Sequence, residues 1–166
     1  MTKLYMRSKA FSLTTSFTVT DEFDEVRYTV KPALISMGRN LSIVDYNGNE
    51  VAHVRQKLVS MLNKYSIVID GQEGFIKHKN FAFKPKYEYT AKDWLITGKF
   101  LKQEYTFTDK DGNRIAFMHK KAMVFGECVE FEIEDPSNEA EVVAIVLAIN
   151  CIINDQKEEA REDMSD

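Results

Sequence analysis

The stretch AEVVAIVLAINCII, residues 140–153, decides the fold of this chain, because only Glu141 and Asn150 interrupt an otherwise apolar run. Its 14 residues exceed the usual length of a strand and show no polar alternation, which favours a helix. Asn138, three residues before Glu141, gives the spacing of a capping box at the helix start. The helix would be about 21 Å long, shorter than the roughly 30 Å hydrocarbon core of a bilayer. We therefore predict a helix over 138–153 that is buried inside the protein.

A helix that is apolar on every face needs protein around it, and the preceding residues have to supply that wall. From Lys3 to Lys121 the hydrophobic period is mostly two, and turn residues recur at short intervals. This pattern predicts about twelve strands. They lie near residues 3–11, 14–20, 25–31, 39–45, 50–57, 65–70, 73–80, 86–90, 93–98, 103–109, 113–120 and 128–134.

An internal repeat supports the strand count. Residues 43–57 align with residues 107–121 at an offset of 64, and a degenerate third copy starts at Phe17. The dipeptides Asn47-Gly48 and Asp111-Gly112 predict hairpins with type I′ turns, which need positive φ at both central residues. The chain therefore contains two similar multi-stranded halves before the helix.

Two such halves followed by one buried helix predict a mainly β fold, a closed barrel of about twelve strands that encloses the C-terminal helix. Closure removes the exposed edges of the sheet and covers the helix on all sides. A helix with its side chains is about 10–12 Å across, so it would fill the barrel. Ligands would then bind on the outer surface or at a rim.

Composition predicts one domain over residues 1–153 and an acidic, flexible tail over 154–166. The tail has a net charge of -4, and the rest of the chain has 20 basic and 20 acidic residues, which argues against nucleic-acid binding. The chain shows no N-terminal signal peptide and no CxxC motif. We expect a cytoplasmic protein in which Cys128 and Cys151 are free thiols; a disulfide between them is the alternative.

No pattern of catalytic residues is present. His53, His78 and His119 fall in separate predicted strands without metal-ligand spacing, and a GxSxG motif is absent. An acidic turn at residues 21–25 lacks the EF-hand pattern for Ca²⁺. The sequence thus predicts a protein that is not an enzyme, with no metal and no cofactor.

A basic segment is the one candidate for ligand binding. Residues 72–121 contain eleven Lys or Arg against six Asp or Glu. The candidate ligand-binding residues are Lys77, Lys79, Lys84 and Lys86, with the aromatic residues Phe75, Phe81, Phe83, Tyr87, Tyr89 and Trp94 nearby in the chain. Lysines beside aromatic rings suit a phosphorylated headgroup. The alternatives are lysines that only protect strand faces and edges, or a site for single-stranded nucleic acid.

Several motifs resemble the LURP-one-related family and its bacterial members. They are DYNGNEV, HVRQKL, KYSIVID, the pattern GxxxxxxYxxxDxxGNxIA from Gly98 to Ala116, and the apolar helix that Asn150 closes. That family is similar to the Tubby C-terminal domain and the phospholipid scramblases. The resemblance covers residues 1–153 and implies a twelve-stranded barrel threaded by a hydrophobic helix, with membrane association or phosphoinositide binding. It assigns no lipid-ligating residue.

These observations together predict a non-enzymatic binding module for an anionic phospholipid or phosphorylated headgroup on the outer barrel surface, cytoplasmic and peripheral to the membrane. The alternative is a protein-interaction scaffold or regulatory protein whose acidic tail forms part of the contact.

Overall fold

A computed structural model describes residues 1–7, 13–33, 38–58, 65–81, 84–124 and 126–165, apart from the side chains of residues 80, 81, 84 and 85. These residues form twelve strands and one long helix, α1 (Glu139–Ser165). The strands are β1 (Thr2–Arg7), β2 (Phe17–Asp21), β3 (Val26–Pro32), β4 (Asn40–Asp45), β5 (Glu50–Gln56), β6 (Tyr65–Ile69), β7 (Gln72–Phe81), β8 (Lys84–Tyr89), β9 (Trp94–Lys99), β10 (Glu104–Thr108), β11 (Arg114–Met123) and β12 (Gly126–Ile133). Two short 3-10 helices span Phe100–Lys102 and Pro136–Asn138.

The strands form a closed barrel in which each one pairs antiparallel with its neighbours along the chain. The pairing of β1 with β12, from Thr2 opposite Ile133 to Arg7 opposite Cys128, completes the ring. The predicted mainly β, twelve-stranded closed barrel is confirmed. Residues 8–11 of the first predicted strand lie outside the described residues.

Helix α1 lies inside this barrel. Every residue from Val142 to Ile149 has 0 % of its surface exposed. Every second side chain of the barrel strands points inward and packs against α1, such as Tyr105 and Phe107 on β10, which are also fully buried. Side chains of a strand point alternately to its two faces, so the period-two pattern of the sequence becomes an apolar lining around an apolar rod. The predicted burial of the helix is confirmed.

The predicted end of the helix at residue 153 was wrong, because α1 continues to Ser165. Residues after 153 contain no Pro or Gly that would stop a helix, and several are strong helix formers. The side chains are exposed from Gln156 onward. We call residues 154–165 the helical extension, which projects from the barrel into solvent.

The stretch Pro136–Ser165 is, by length and composition alone, long and apolar enough to cross a membrane. In its most apolar window 72 % is buried within the barrel, as in the core helix of a soluble fold. The apolar surface of α1 is therefore already covered by the strands around it.

Four barrel tyrosines donate hydrogen bonds to polar residues of α1. The pairs are Tyr28 with Glu139 (3.0 Å), Tyr89 with Glu141 (2.7 Å), Tyr105 with Asn150 (3.0 Å) and Tyr65 with Asp155 (2.7 Å). A buried polar group without a partner is costly, so these bonds let polar residues lie within an apolar interior. The pairs also fix the depth and rotation of the helix, because each needs one hydroxyl to face one side chain.

The repeated hairpins share one turn geometry. Asp45 and Asp109 each accept two backbone hydrogen bonds of 2.9 Å from the amides two and four residues later. Asp21 does the same in the third copy. The predicted hairpins are present, but the predicted type I′ turns were wrong. Gly48 and Gly112 have φ of 85°, whereas Asn47 and Asp111 do not have positive φ.

The reason lies in the length of these loops. The amide of Gly48 donates to the carbonyl of Asp45, and the amide of Asp45 donates to the carbonyl of Asn49. This is a longer loop built on a type I turn, in which only the glycine after the turn needs the left-handed region. The aspartate side chain closes the turn by binding the amides that the ladder leaves free.

Candidate ligand-binding surface

The two ends of the barrel are distinguished by the direction of helix α1. Helix α1 begins at one end, which we call the near end, and emerges at the other, the far end. Because the strands alternate in direction, odd-numbered strands run toward the far end and even-numbered strands run back. The C-terminal half of β7 and the N-terminal half of β8 therefore flank the far end.

Three of the four predicted lysines, Lys77, Lys79 and Lys86, lie on the outer face of β7 and β8. Lys77 and Lys79 alternate with the buried Ile76 on β7, and Lys86 precedes the buried Tyr87 on β8. Lys79 and Lys86 are direct partners across the ladder. The backbone of Lys84 pairs with Phe81, but its side chain lies outside the described residues. We call Lys77, Lys79 and Lys86 the lysine face.

One carboxylate lies within the lysine face. Glu88 is opposite Lys77 in the ladder and forms an ion pair with Lys79. Next to this face, Lys57 pairs with Glu73 at 2.6 Å, so that acid is already neutralised. Three lysines thus share one glutamate, and the face keeps a positive charge.

The aromatic partners proposed for these lysines do not all reach the surface. Tyr87, Tyr89 and Trp94 point into the barrel and are at most 5 % exposed, so their predicted place beside the lysines was wrong. Strand alternation puts them on the face opposite Lys86. Phe75 remains half-exposed on the outer side of β7. The side chains of Phe81 and Phe83 lie outside the described residues.

An apolar groove of about 320 Å³ opens at the far end, between the barrel rim and the helical extension. Residues from β7, β8, the 3-10 helix Phe100–Lys102 and α1 line it. They are His78, Tyr87, Phe100, Leu101, Ile153, Gln156, Lys157 and Ala160. The sequence analysis missed this groove because it ended the helix at 153, and one wall of the groove is the continuation of that helix.

A polar cavity of about 510 Å³ lies at the near end and includes Arg27, Tyr28, Asp45 and Asp70 in its lining. Arg27 and Tyr28 bind one oxygen of the buried Glu139 at 3.2 and 3.0 Å. Burial and the neighbouring Glu139 raise the pKa of Tyr28, so its hydroxyl stays a donor. Acidic and basic groups are mixed around this cavity, and their charges do not select one class of ligand.

A third cluster surrounds Glu130 on the outer face of β12. Its carboxylate is 2.7 Å from Nζ of Lys121, 3.3 Å from Nε2 of His119 and 3.7 Å from Nζ of Lys3. Burial would raise its pKa, but hydrogen bonds from Lys121 and Tyr5 together with the lysine charges lower it to about 2. Glu130 is only 3 % exposed although it lies on the outer face, because these side chains cover it.

This cluster is better suited to ion pairing than to metal binding. His119, Glu130 and Glu132 offer ligand atoms within 4.8 Å of one another, a spacing that a cation can use. However, two lysines already supply positive charge to Glu130 and would repel a metal ion.

Cys128 and Cys151 are both free and buried, and burial raises the pKa of each thiol, which disfavours a reactive thiolate.

The family model described as LURP-one-related matches residues 2–150, which is most of the chain. This protein belongs to the LURP-one-related family. The family resemblance seen in the sequence motifs is thereby confirmed.

Two individual proteins match nearly the whole chain. The "Uncharacterized protein YxjI" of Bacillus subtilis (strain 168) is 26 % identical over 161 residues, which are 96 % of this chain and 99 % of that protein. The X-ray structure of the Arabidopsis thaliana protein AT5G01750 matches with a TM-score of 0.59 and 15 % identity, over 90 % of this chain and 91 % of that one. At this identity the structural likeness shows the fold alone.

The motif residues that indicate the LURP-one-related family serve the fold. Tyr105 holds the helix through Asn150, and Asp109 closes a turn with the amides of Asp111 and Asn113. Gly98 leaves room for the backbone of Glu104, since a Cβ there would lie 2.0 Å from that carbonyl oxygen. The family signature therefore identifies the architecture, and a ligand has to be argued from the surface.

Proposed function

We propose that this LURP-one-related protein is a non-enzymatic binding module whose lysine face binds the anionic headgroup of a phospholipid. The observation that carries the proposal is the direct opposition of Lys79 and Lys86 across the ladder. Like charges directly opposite each other in a sheet are destabilising. A phosphate between the two ammonium groups would remove that repulsion, and Glu88 offsets only part of it through Lys79.

The shape of the molecule supports a ligand on the outside. Helix α1 fills the barrel interior with fully buried side chains, leaving the outer face for recognition. Lysines can extend their charges to a membrane surface, where each contributes about 1 kcal/mol of attraction to anionic lipids. We propose a cytoplasmic protein that associates peripherally with a membrane through this face.

Vesicle co-sedimentation tests the proposal. The variant changes Lys77, Lys79, Lys84 and Lys86 to Glu, and the matched control changes four basic residues elsewhere on the barrel, Lys31, Lys110, Arg114 and Lys120, to Glu. Both variants have the same net charge. We expect the lysine-face variant to bind phosphatidylserine-containing vesicles at least about 100-fold more weakly than the wild type, because each lysine contributes about 1 kcal/mol. The control variant should bind these vesicles much more strongly than the lysine-face variant. Equal binding by the wild type and the first variant would contradict the proposal.

A second candidate function is a scaffold that binds another protein through the helical extension. The observation in its favour is that residues 156–165 form a solvent-exposed helix rather than an irregular tail. Acids such as Glu162 and Asp163 project from it and offer charge to a basic partner. Truncation after Asp155 keeps the contact of that residue with Tyr65 and removes this surface. Cross-linked partners that persist after the truncation would count against this function.

A further inference from the structure

We infer that the apolar groove at the far end holds the alkyl chain of a single-chain anionic amphiphile whose headgroup lies on the lysine face. This inference rests on the proposed function and adds a place for the apolar part of the ligand.

The groove has the lining that an alkyl chain needs. Tyr87 and Phe100 form its floor with their rings 4.9 Å apart and nearly perpendicular, and Ile153 and Ala160 of α1 form the facing side. Leu101 lies at its edge with 79 % of its surface exposed. A volume of about 320 Å³ is at the lower end of the range for small-ligand sites, roughly 300–1,000 Å³. It accommodates one chain segment rather than a two-chain lipid.

The charges around the groove favour an anionic ligand. Lys157 lines it, whereas Asp155 and Glu158 of the same helix bind Arg39 at 3.5 and 3.2 Å. The groove residues Ile153, Gln156 and Ala160 repeat at helical spacing on one side of α1, whereas these two carboxylates face Arg39 on a different side of the helix. The acidic extension therefore presents an apolar side with a lysine toward the ligand.

The groove and the lysine face belong to the same hairpin. His78 and Tyr87, which line the groove, are direct partners in the β7–β8 ladder and stack with their rings 4.9 Å apart. Lys77, Lys79 and Lys86 are the adjacent residues in sequence and point to the other face of the same strands. In the described pairing β8 contacts β9 only from Tyr87 to Tyr89, so the edge of β8 at Lys86 lies open between the two faces. An amphiphile at this edge can thus place its head on the lysines and its chain in the groove.

Calorimetry with a series of alkyl phosphates, from butyl to dodecyl and each below its critical micelle concentration, tests the inference. Each added methylene that enters the groove should raise affinity about fourfold, the equivalent of about 0.8 kcal/mol, until the groove is full. Ala160→Trp fills the groove from an exposed helix position, so we expect it to fold normally and to lose this chain-length dependence. Butyl phosphate should bind it about as well as it binds the wild type.

Two further variants complete the test. Leu101→Asp places a charge at the groove edge and should also weaken the binding of long chains. Glu162→Trp is the matched control for Ala160→Trp, because it adds a tryptophan on a different face of the extension, and it should leave the binding of long chains unchanged. A flat affinity across the series, or full chain-length dependence in Ala160→Trp, would overturn the inference.

The outcome of the alkyl phosphate series can be distinguished from the outcome of the vesicle test of the lysine face. Loss of vesicle binding in the lysine variant, together with unchanged chain-length dependence in Ala160→Trp, would leave the proposed function standing and remove the groove. The opposite pair of results would keep a chain site and reject headgroup binding by the lysine face.

Discussion

The hydroxyl of Tyr105 on β10 donates a 3.0 Å hydrogen bond to Oδ1 of Asn150 on α1, and both residues are buried. Burial raises the pKa of Tyr105, so the phenol stays protonated and remains a donor. The amide nitrogen of Asn150 donates in turn to the carbonyl of Val146 at 2.9 Å. The barrel wall and the core helix are thus joined by a polar contact inside an apolar core.

Tyr105→Phe should destabilise the protein by about 1–3 kcal/mol, because it leaves the buried oxygen of Asn150 without a donor. Urea denaturation followed by circular dichroism measures the change. Tyr46→Phe is the matched control, because Tyr46 is 77 % exposed, and should have almost no effect. A Tyr105→Phe protein as stable as the wild type would show that the hydrogen bond makes no net contribution.

Ile145→Asp should prevent folding, because Ile145 is fully buried in the part of α1 that the barrel encloses and an unpaired charge in a dry core costs several kcal/mol. Ile145→Val should fold and lose about 0.5–1.5 kcal/mol in thermal or urea unfolding. Met164→Asp, on the exposed extension, serves as the control and should melt like the wild type. A soluble Ile145→Asp protein with a cooperative transition would contradict the buried position of the helix.

Glu130 should make stability depend on acid pH. Its pKa of about 2 in the folded protein lies below its ordinary value of 4.5. The unfolded chain therefore binds the proton more readily, and the stabilisation is complete above about pH 4.5 and disappears as the pH falls through 2. Urea denaturation of Glu130→Gln across this range should show a smaller loss of stability than the wild type. Glu127→Gln, at an exposed pair with Lys120, should follow the wild-type curve.

Gly98→Ala should destabilise the barrel by about 3 kcal/mol or more, since its Cβ would clash with the backbone of Glu104 at a φ of 148°. The neighbouring strands β9 and β10 would have to separate to relieve the contact. Gly112→Ala has a positive φ but no atom within 4 Å of the new Cβ, so it should cost only about 1 kcal/mol. Similar melting temperatures for the two variants would contradict this ranking.

Much of the architecture could be predicted from contiguous residues. The apolar run at 140–153 predicts a buried helix, and the alternation before it predicts the strands that surround it, because both periods follow from backbone geometry. Alternation also puts Lys77 and Lys79 on one face. It further implies that Tyr87 points away from Lys86, although proximity in the chain suggested that the ring lay beside the lysines.

The sequence by itself determined the barrel, the buried rod within it and the family, since each depends on local periodicity and short motifs. Only the tertiary structure decided that Glu130 is buried under Lys3 and Lys121, and that Ala160 and Leu101 line one groove. These relationships join strands and a helix that are far apart in the chain. Their burial and charge depend on which side chains barrel closure brings together, and no local pattern carries that information.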